Sequence, residues 1–120
     1  MGLKTKRIRD AVTEASVLKM PEQRASKLLD YLEKYGSPEY FNFLEVVVNE
    51  YGDLILGWER RQYEVEITIH ASGPLQVYED VAGKHEIYVV PTIRSAAGAI
   101  HSLWKKYMAD QRIIPQAMRL

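Results

Sequence analysis

Tyr63-Glu64-Val65-Glu66-Ile67-Thr68-Ile69-His70 is the stretch on which the fold turns. Apolar and polar residues alternate through it without exception. A period of two marks a strand with one buried and one polar face. Its neighbours follow from asking which hairpin registers keep apolar residues on a common face. A turn at Ala71-Ser72-Gly73 sets Ile69 opposite Leu75 and Ile67 opposite Val77. A loop over Asp80–Lys84 then sets Val77 opposite Ile87 and Leu75 opposite Val89. Upstream, a loop at Glu59–Gln62 pairs Trp58 with Tyr63, Leu56 with Val65 and Leu54 with Ile67. A turn at Glu50-Tyr51-Gly52 pairs Val48 with Leu54 and Val46 with Leu56. All these turns agree on one core face, and such agreement between local and global pattern marks a foldable sequence. The sequence therefore predicts a five-stranded antiparallel meander, with strands near 44–49, 53–59, 62–70, 74–79 and 85–90.

Outside the sheet the period becomes helical. Residues 4–19 place Ile8, Val12, Ala15 and Lys19 at helical spacing, with Ala11 and Leu18 flanking. Pro21 suits a first helical position and Glu22 the first turn. The stripe Ala25, Leu28, Leu29 and Leu32 follows, and Gly36 with Ser37-Pro38 closes that helix near residue 35. Whether the two helices form one bent rod or a hairpin is open at this level. Pro91 ends the last strand, and Thr92 caps, or lies just inside, a helix to about Asp110 whose face carries Ile93, Ala96, Ala97, Ile100, Trp104, Tyr107 and Met108. The tail 111–120 is apolar (Ile113, Ile114, Met118, Leu120) and is expected to dock on the body or on a partner. The expectation is one α+β domain over 1–120. Its N-terminal helices lie at about 4–35, its sheet at about 44–90 and its C-terminal helix at about 92–110, packed on one sheet face.

Composition narrows the function classes. The chain has 120 residues, 47% hydrophobic and 27% charged, enough for a core without staples. Sixteen basic and sixteen acidic residues cancel, so nucleic acid is not the expected partner: non-specific binding to it needs a surplus of Lys and Arg. Zero net charge also removes repulsion between copies, which favours a homodimer. There is no cysteine, which excludes disulfides, thiol catalysis and Cys-ligated zinc, and fits a cytoplasmic location. No stretch has the roughly 18 consecutive apolar residues of a membrane span, and the basic N-terminus lacks the apolar core of a signal peptide.

The face of the sheet away from the core is the candidate site. In the register above, Glu66, Tyr78 and Glu86 form one row, and Thr68, Gln76 and Tyr88 the next. Val47 and Ile55 supply an apolar centre on the first two strands. Val47, Ile55, Glu66, Tyr78, Glu86 and Tyr88 are thus the expected partner-binding residues: Tyr is enriched at interfaces and Glu supplies charge complementarity. A solvated strand face of good strand formers explains the same residues without any partner. A second candidate is a small-molecule pocket between sheet and helices lined by Trp58, Tyr63, Trp104 and Tyr107.

Catalytic chemistry finds little footing. Glu64, Glu66, Glu86 and Asp80 can approach one another, but acid–base work needs a carboxylate shifted by burial, and these are expected on an open face. His70, His85 and His101 are scattered, without HxxxH or HExxH spacing, so no metal is expected. No phosphate loop and no nucleophile elbow occurs, so no cofactor is expected. The basic run Lys4, Lys6, Arg7 and Arg9 reads as a solvated helix face, although cations sit poorly at a helix N-terminus.

Gly52-Asp53-Leu54-Ile55-Leu56-Gly57-Trp58, followed by Val65-Glu66-Ile67-Thr68-Ile69 and Gly73, resembles a hairpin of small uncharacterised prokaryotic and phage-borne α+β proteins. In these a glycine, alternating aliphatics and a tryptophan precede a second alternating strand ending in glycine. The resemblance implies a mobile-element or defence context and carries no functional residues. The expected function is a non-enzymatic interaction module of the inhibitor, antitoxin or immunity type, acting on another protein. The alternatives are a metabolite- or nucleotide-binding protein and a homo-oligomeric structural or chaperone-like module.

Overall fold

A computed structural model describes residues 3–34, 41, 44–60 and 62–108. The chain runs α1 (Leu3–Ala15), α2 (Lys19–Lys34), β1 (Glu45–Val48), β2 (Leu54–Arg60), β3 (Tyr63–Ile69), β4 (Leu75–Val81), β5 (Lys84–Val90) and α3 (Ile93–Leu103). A π-helical turn, Trp104–Met108, continues α3. The strands form one antiparallel sheet in the order β1-β2-β3-β4-β5. This is the α+β meander that the alternation predicts. The apolar tail 111–120 and the end of the C-terminal helix beyond Met108 lie outside the described residues.

The helices cover one sheet face. Ala25, Leu28, Leu29 and Leu32 of α2 join Ala96, Ala97, Ile100 and Leu103 of α3 over Leu54, Leu56, Val65, Ile67, Ile69, Leu75 and Val77. Ile8 and Val12 bring α1 into the same cluster. Each fully buried aliphatic side chain contributes about 1.5–3 kcal/mol, so this layer dominates the stability.

The N-terminal helices are two, not one rod, and both boundaries differ from the sequence expectation. α1 stops at Ala15 instead of residue 19, and α2 begins at Lys19, ahead of Pro21. Val17 and Leu18 lie over the β1–β2 turn, so close that a Cβ on Gly52 would sit 2.6 Å from Leu18 Cδ1. Gly52 also has φ +84°, so only glycine meets both demands.

Three arginines tie the helices to the rest. Arg9 bridges α1 to α2 through Asp30 (2.7 Å) and Glu33 (2.9 Å). The hydrogen bond from Arg9 is the main reason that the Glu33 carboxyl is held below its usual pKa. Arg7 donates to the Phe41 and Leu44 carbonyls at 2.6 and 2.8 Å, and Arg24 to the His70 and Gly73 carbonyls at 2.7 and 2.6 Å. Arg7 and Arg9, read from sequence as part of a solvated face, are therefore structural. Lys6 pairs with Asp10 on the surface.

Two hairpin registers correct the sequence reading. Between β2 and β3 the pairs are Leu54–Ile69, Leu56–Ile67 and Trp58–Val65, two residues from the expected ones. An even slip leaves the faces unchanged. Between β4 and β5 the pairs are Leu75–Val90 and Val77–Tyr88, a slip of one residue. An odd slip turns every side chain of β5 to the other face. The cause is the turn. β4 runs to Val81 and pairs with Lys84 across only Ala82-Gly83, with φ +54° and +88°. Two positive φ values in a two-residue loop define a type I′ hairpin, and its flanking pair sets the register. Asp80 Oδ1 accepts the Gly83 N–H at 2.9 Å and steadies it.

α3 starts as expected, with a reciprocal capping box at Thr92. Thr92 Oγ1 accepts the Ser95 N–H, and Ser95 Oγ accepts the Thr92 N–H, each at 3.0 Å. Regular α geometry ends at Leu103, where Trp104 packs edge-on against Trp58 with ring centroids 6.3 Å apart.

Candidate functional site: the uncovered sheet face

The observed register defines the second sheet face row by row. One row is Val47–Ile55–Thr68–Gln76–Val89, the next Glu45–Gly57–Glu66–Tyr78–Ile87, and the third Glu59–Glu64–Asp80–His85. No described helix lies across these rows. Val47, Ile87 and Val89 remain 54%, 61% and 67% exposed, unusual for a β-branched strand residue with cover available.

Four of the six expected partner-binding residues share this face: Val47, Ile55, Glu66 and Tyr78. Glu86 and Tyr88 do not. The one-residue slip of β5 puts them on the helix side, where Tyr88 packs at the core margin and its hydroxyl donates to Glu79 Oε2 at 3.3 Å. Ile87 and Val89 take their places. The face is therefore more apolar at its β5 edge than the sequence suggested. The signal that finds them is Ala82-Gly83 read as a two-residue turn instead of the middle of a longer loop.

Trp58, Tyr63 and Trp104 are buried in the core, each 6% exposed or less. Tyr107 lies on the π-helical turn, and its side chain is outside the described residues.

A cleft of about 310 Å³ on the uncovered face is lined by Arg7, Val47, Ile55, Gly57 and Trp58 together with the carboxylates of Glu45, Glu59, Glu64 and Glu66. Gly57 keeps its floor low. A Cβ there would come within 3.0 Å of both Glu66 Cγ and the Val65 carbonyl oxygen.

The third row is electrostatically costly. Glu59 stands directly opposite Glu64, and Glu64 directly opposite Asp80. Like charges in that position destabilise a sheet by a few tenths to about 1 kcal/mol per pair. Partial burial first, then the charges of Glu66, Glu59 and Asp80, push the Glu64 carboxyl above its usual range. Tyr78 also titrates higher than normal, through desolvation and then the nearby Asp80 carboxylate, to which its hydroxyl donates at 3.3 Å. Its ring stacks on His85 with centroids 6.1 Å apart. Among the described residues no group of three or more His, Cys, Asp or Glu side chains is placed to hold a metal ion. No helix among them is long and apolar enough to cross a membrane.

Comparison with known proteins finds no matching family model, no matching curated protein and no matching solved structure.

Proposed function

We propose that this chain is a non-enzymatic interaction protein of the inhibitor or antitoxin type. It binds a partner protein on the uncovered sheet face. The observation that supports this reading most is the row Glu59–Glu64–Asp80, on a face that also carries exposed Val47, Ile87 and Val89 and half-buried Ile55. A like-charge row weakens the free protein, and positive charge brought by a partner offsets that penalty. These apolar side chains, toward the two edges of the face, supply apolar area that a protein interface can desolvate. The fitting partner surface is thus cationic, with protruding aliphatic or aromatic side chains. Long-range attraction between such surfaces speeds encounter and falls with added salt.

The test is affinity capture from the native host with the wild-type chain, Glu64→Lys/Glu66→Lys and Val47→Glu/Ile55→Glu. The captured protein is then purified and titrated by calorimetry. The reading expects one partner that binds wild type, weakens with salt and is lost with both folded variants. A partner held equally by all three, or no partner from any extract, overturns it.

A further inference from the structure

The two edges of the sheet are built differently. β1 has only four residues, and α1 lies against it, with Arg7 holding the segment that leads into it. Short length and cover are standard protections for an edge strand. β5 has neither. It runs regularly for seven residues without a proline or bulge, and no described strand pairs with its outer side. The hairpin sets which backbone groups face that side. In a two-residue turn the flanking residues Val81 and Lys84 bond to each other, so Lys84, Glu86, Tyr88 and Val90 point their N–H and C=O groups at β4. The groups of His85, Ile87 and Val89 point outward. Their side chains fall on the uncovered face, and Ile87 and Val89 are its most exposed aliphatic pair.

We infer that β5 is a self-association edge: two copies of this chain pair antiparallel through β5 about a two-fold axis at Tyr88, joining their sheets into one. A two-fold axis perpendicular to the sheet keeps each face continuous only if a residue meets one of the same facing. Of the registers this allows, a Glu86-centred one sets Glu86 against the partner's Glu86 and is disfavoured by like charge. An Ile87-centred one sets His85 against the partner's Val89. The Tyr88-centred register pairs Ile87 with the partner's Val89 and Val89 with the partner's Ile87. Both pairs exchange their outward backbone hydrogen bonds, and the four side chains form one apolar patch. It also sets Glu86 opposite the partner's Val90, toward the start of the partner's α3, where Arg94 is exposed. Glu86 and the partner's Arg94 are opposite in sign, and zero net charge leaves no overall repulsion between copies. Pro91, which has no N–H to donate, ends the paired segment. The dimer would present two cationic-partner sites on one continuous surface, but it does not depend on that reading.

The deciding experiment follows amide hydrogen exchange of the full chain by NMR at high and low protein concentration, with solution mass measured on the same samples. The expected result is a mass twice the 13.8 kDa chain when concentrated. Ile87 and Val89 amides should then exchange at least about tenfold more slowly than in the dilute monomer, while Tyr88 and Val90 stay slow in both. A monomer at every concentration overturns the inference. So does a dimer whose Ile87 and Val89 amides exchange fast, or protection of those amides in the monomer. Val89→Pro removes an outward donor without touching the β4 ladder, and the folded variant is expected to be monomeric. A folded Val89→Pro dimer also overturns the inference, and should the variant not fold, the wild-type exchange pattern decides alone.

Discussion

Substituting Gly83 by alanine tests the feature on which the composition of the uncovered face depends. Gly83 has φ +88°, and no atom lies within 4 Å of where its Cβ would stand. The penalty is therefore backbone strain alone, about 1–2 kcal/mol for an L-residue in left-handed geometry. Unfolding entropy of about 2.1 cal/mol/K per residue gives this 120-residue chain roughly 0.25 kcal/mol/K, so the midpoint should fall by about 4–8 °C. Ala82 is the complementary case. At φ +54° it already carries part of that strain, and asparagine tolerates the conformation better. Ala82→Asn should raise stability by about 0.5–1 kcal/mol, or roughly 2–4 °C. Thermal unfolding followed by circular dichroism measures both. A Gly83→Ala protein within about 0.5 kcal/mol of wild type would refute the type I′ turn. The β4–β5 register would then return to Val77 opposite Ile87, and Glu86 and Tyr88 would rejoin the uncovered face.

Removing the charge of Glu64 should stabilise the isolated protein. Its folded pKa is raised, so the folded state holds this proton more tightly than the unfolded chain, and stability falls as pH rises through the folded pKa. Glu64→Gln should therefore melt higher than wild type at neutral pH, with the difference vanishing below both pKa values; melting curves over a pH series check this. Arg24→Ala should cost about 2–4 kcal/mol, because it removes charge-assisted hydrogen bonds to the His70 and Gly73 carbonyls that tie α2 to the β3–β4 turn. Urea unfolding gives the value, and Arg24→Lys should recover only part of it, since one ammonium replaces the two-pronged guanidinium.

Much of the fold was legible because alternation is a local signal with a physical cause. In β3, Tyr63, Val65, Ile67 and Ile69 are all buried while Glu64, Glu66 and Thr68 are only half-buried, as a pleated strand with one covered face requires. The stripe Ala25, Leu28, Leu29 and Leu32 likewise found the buried side of α2, and Thr92 the start of α3. Glu66 and Tyr78 followed from the same logic, because β3 and β4 alternate, whereas Val47 and Ile55, on strands with no polar side, followed from the hairpin registers.

β5 has no such contrast. Ile87 and Val89 on one side and Tyr88 and Val90 on the other are all apolar or amphipathic, so hydrophobic pattern cannot choose between registers one residue apart. The backbone of Ala82-Gly83 makes the choice instead, because two left-handed residues close the hairpin in two positions and leave Val81 facing Lys84. The break between α1 and α2 brings Val17 and Leu18 beside Gly52, a residue far along the chain. The sequence by itself determined the strands, the helical segments and the core face of the first four strands, since those depend on periodicity within each segment. Only the tertiary structure decided what stands on the uncovered face, because that depends on turn geometry and on which surface the helices leave bare.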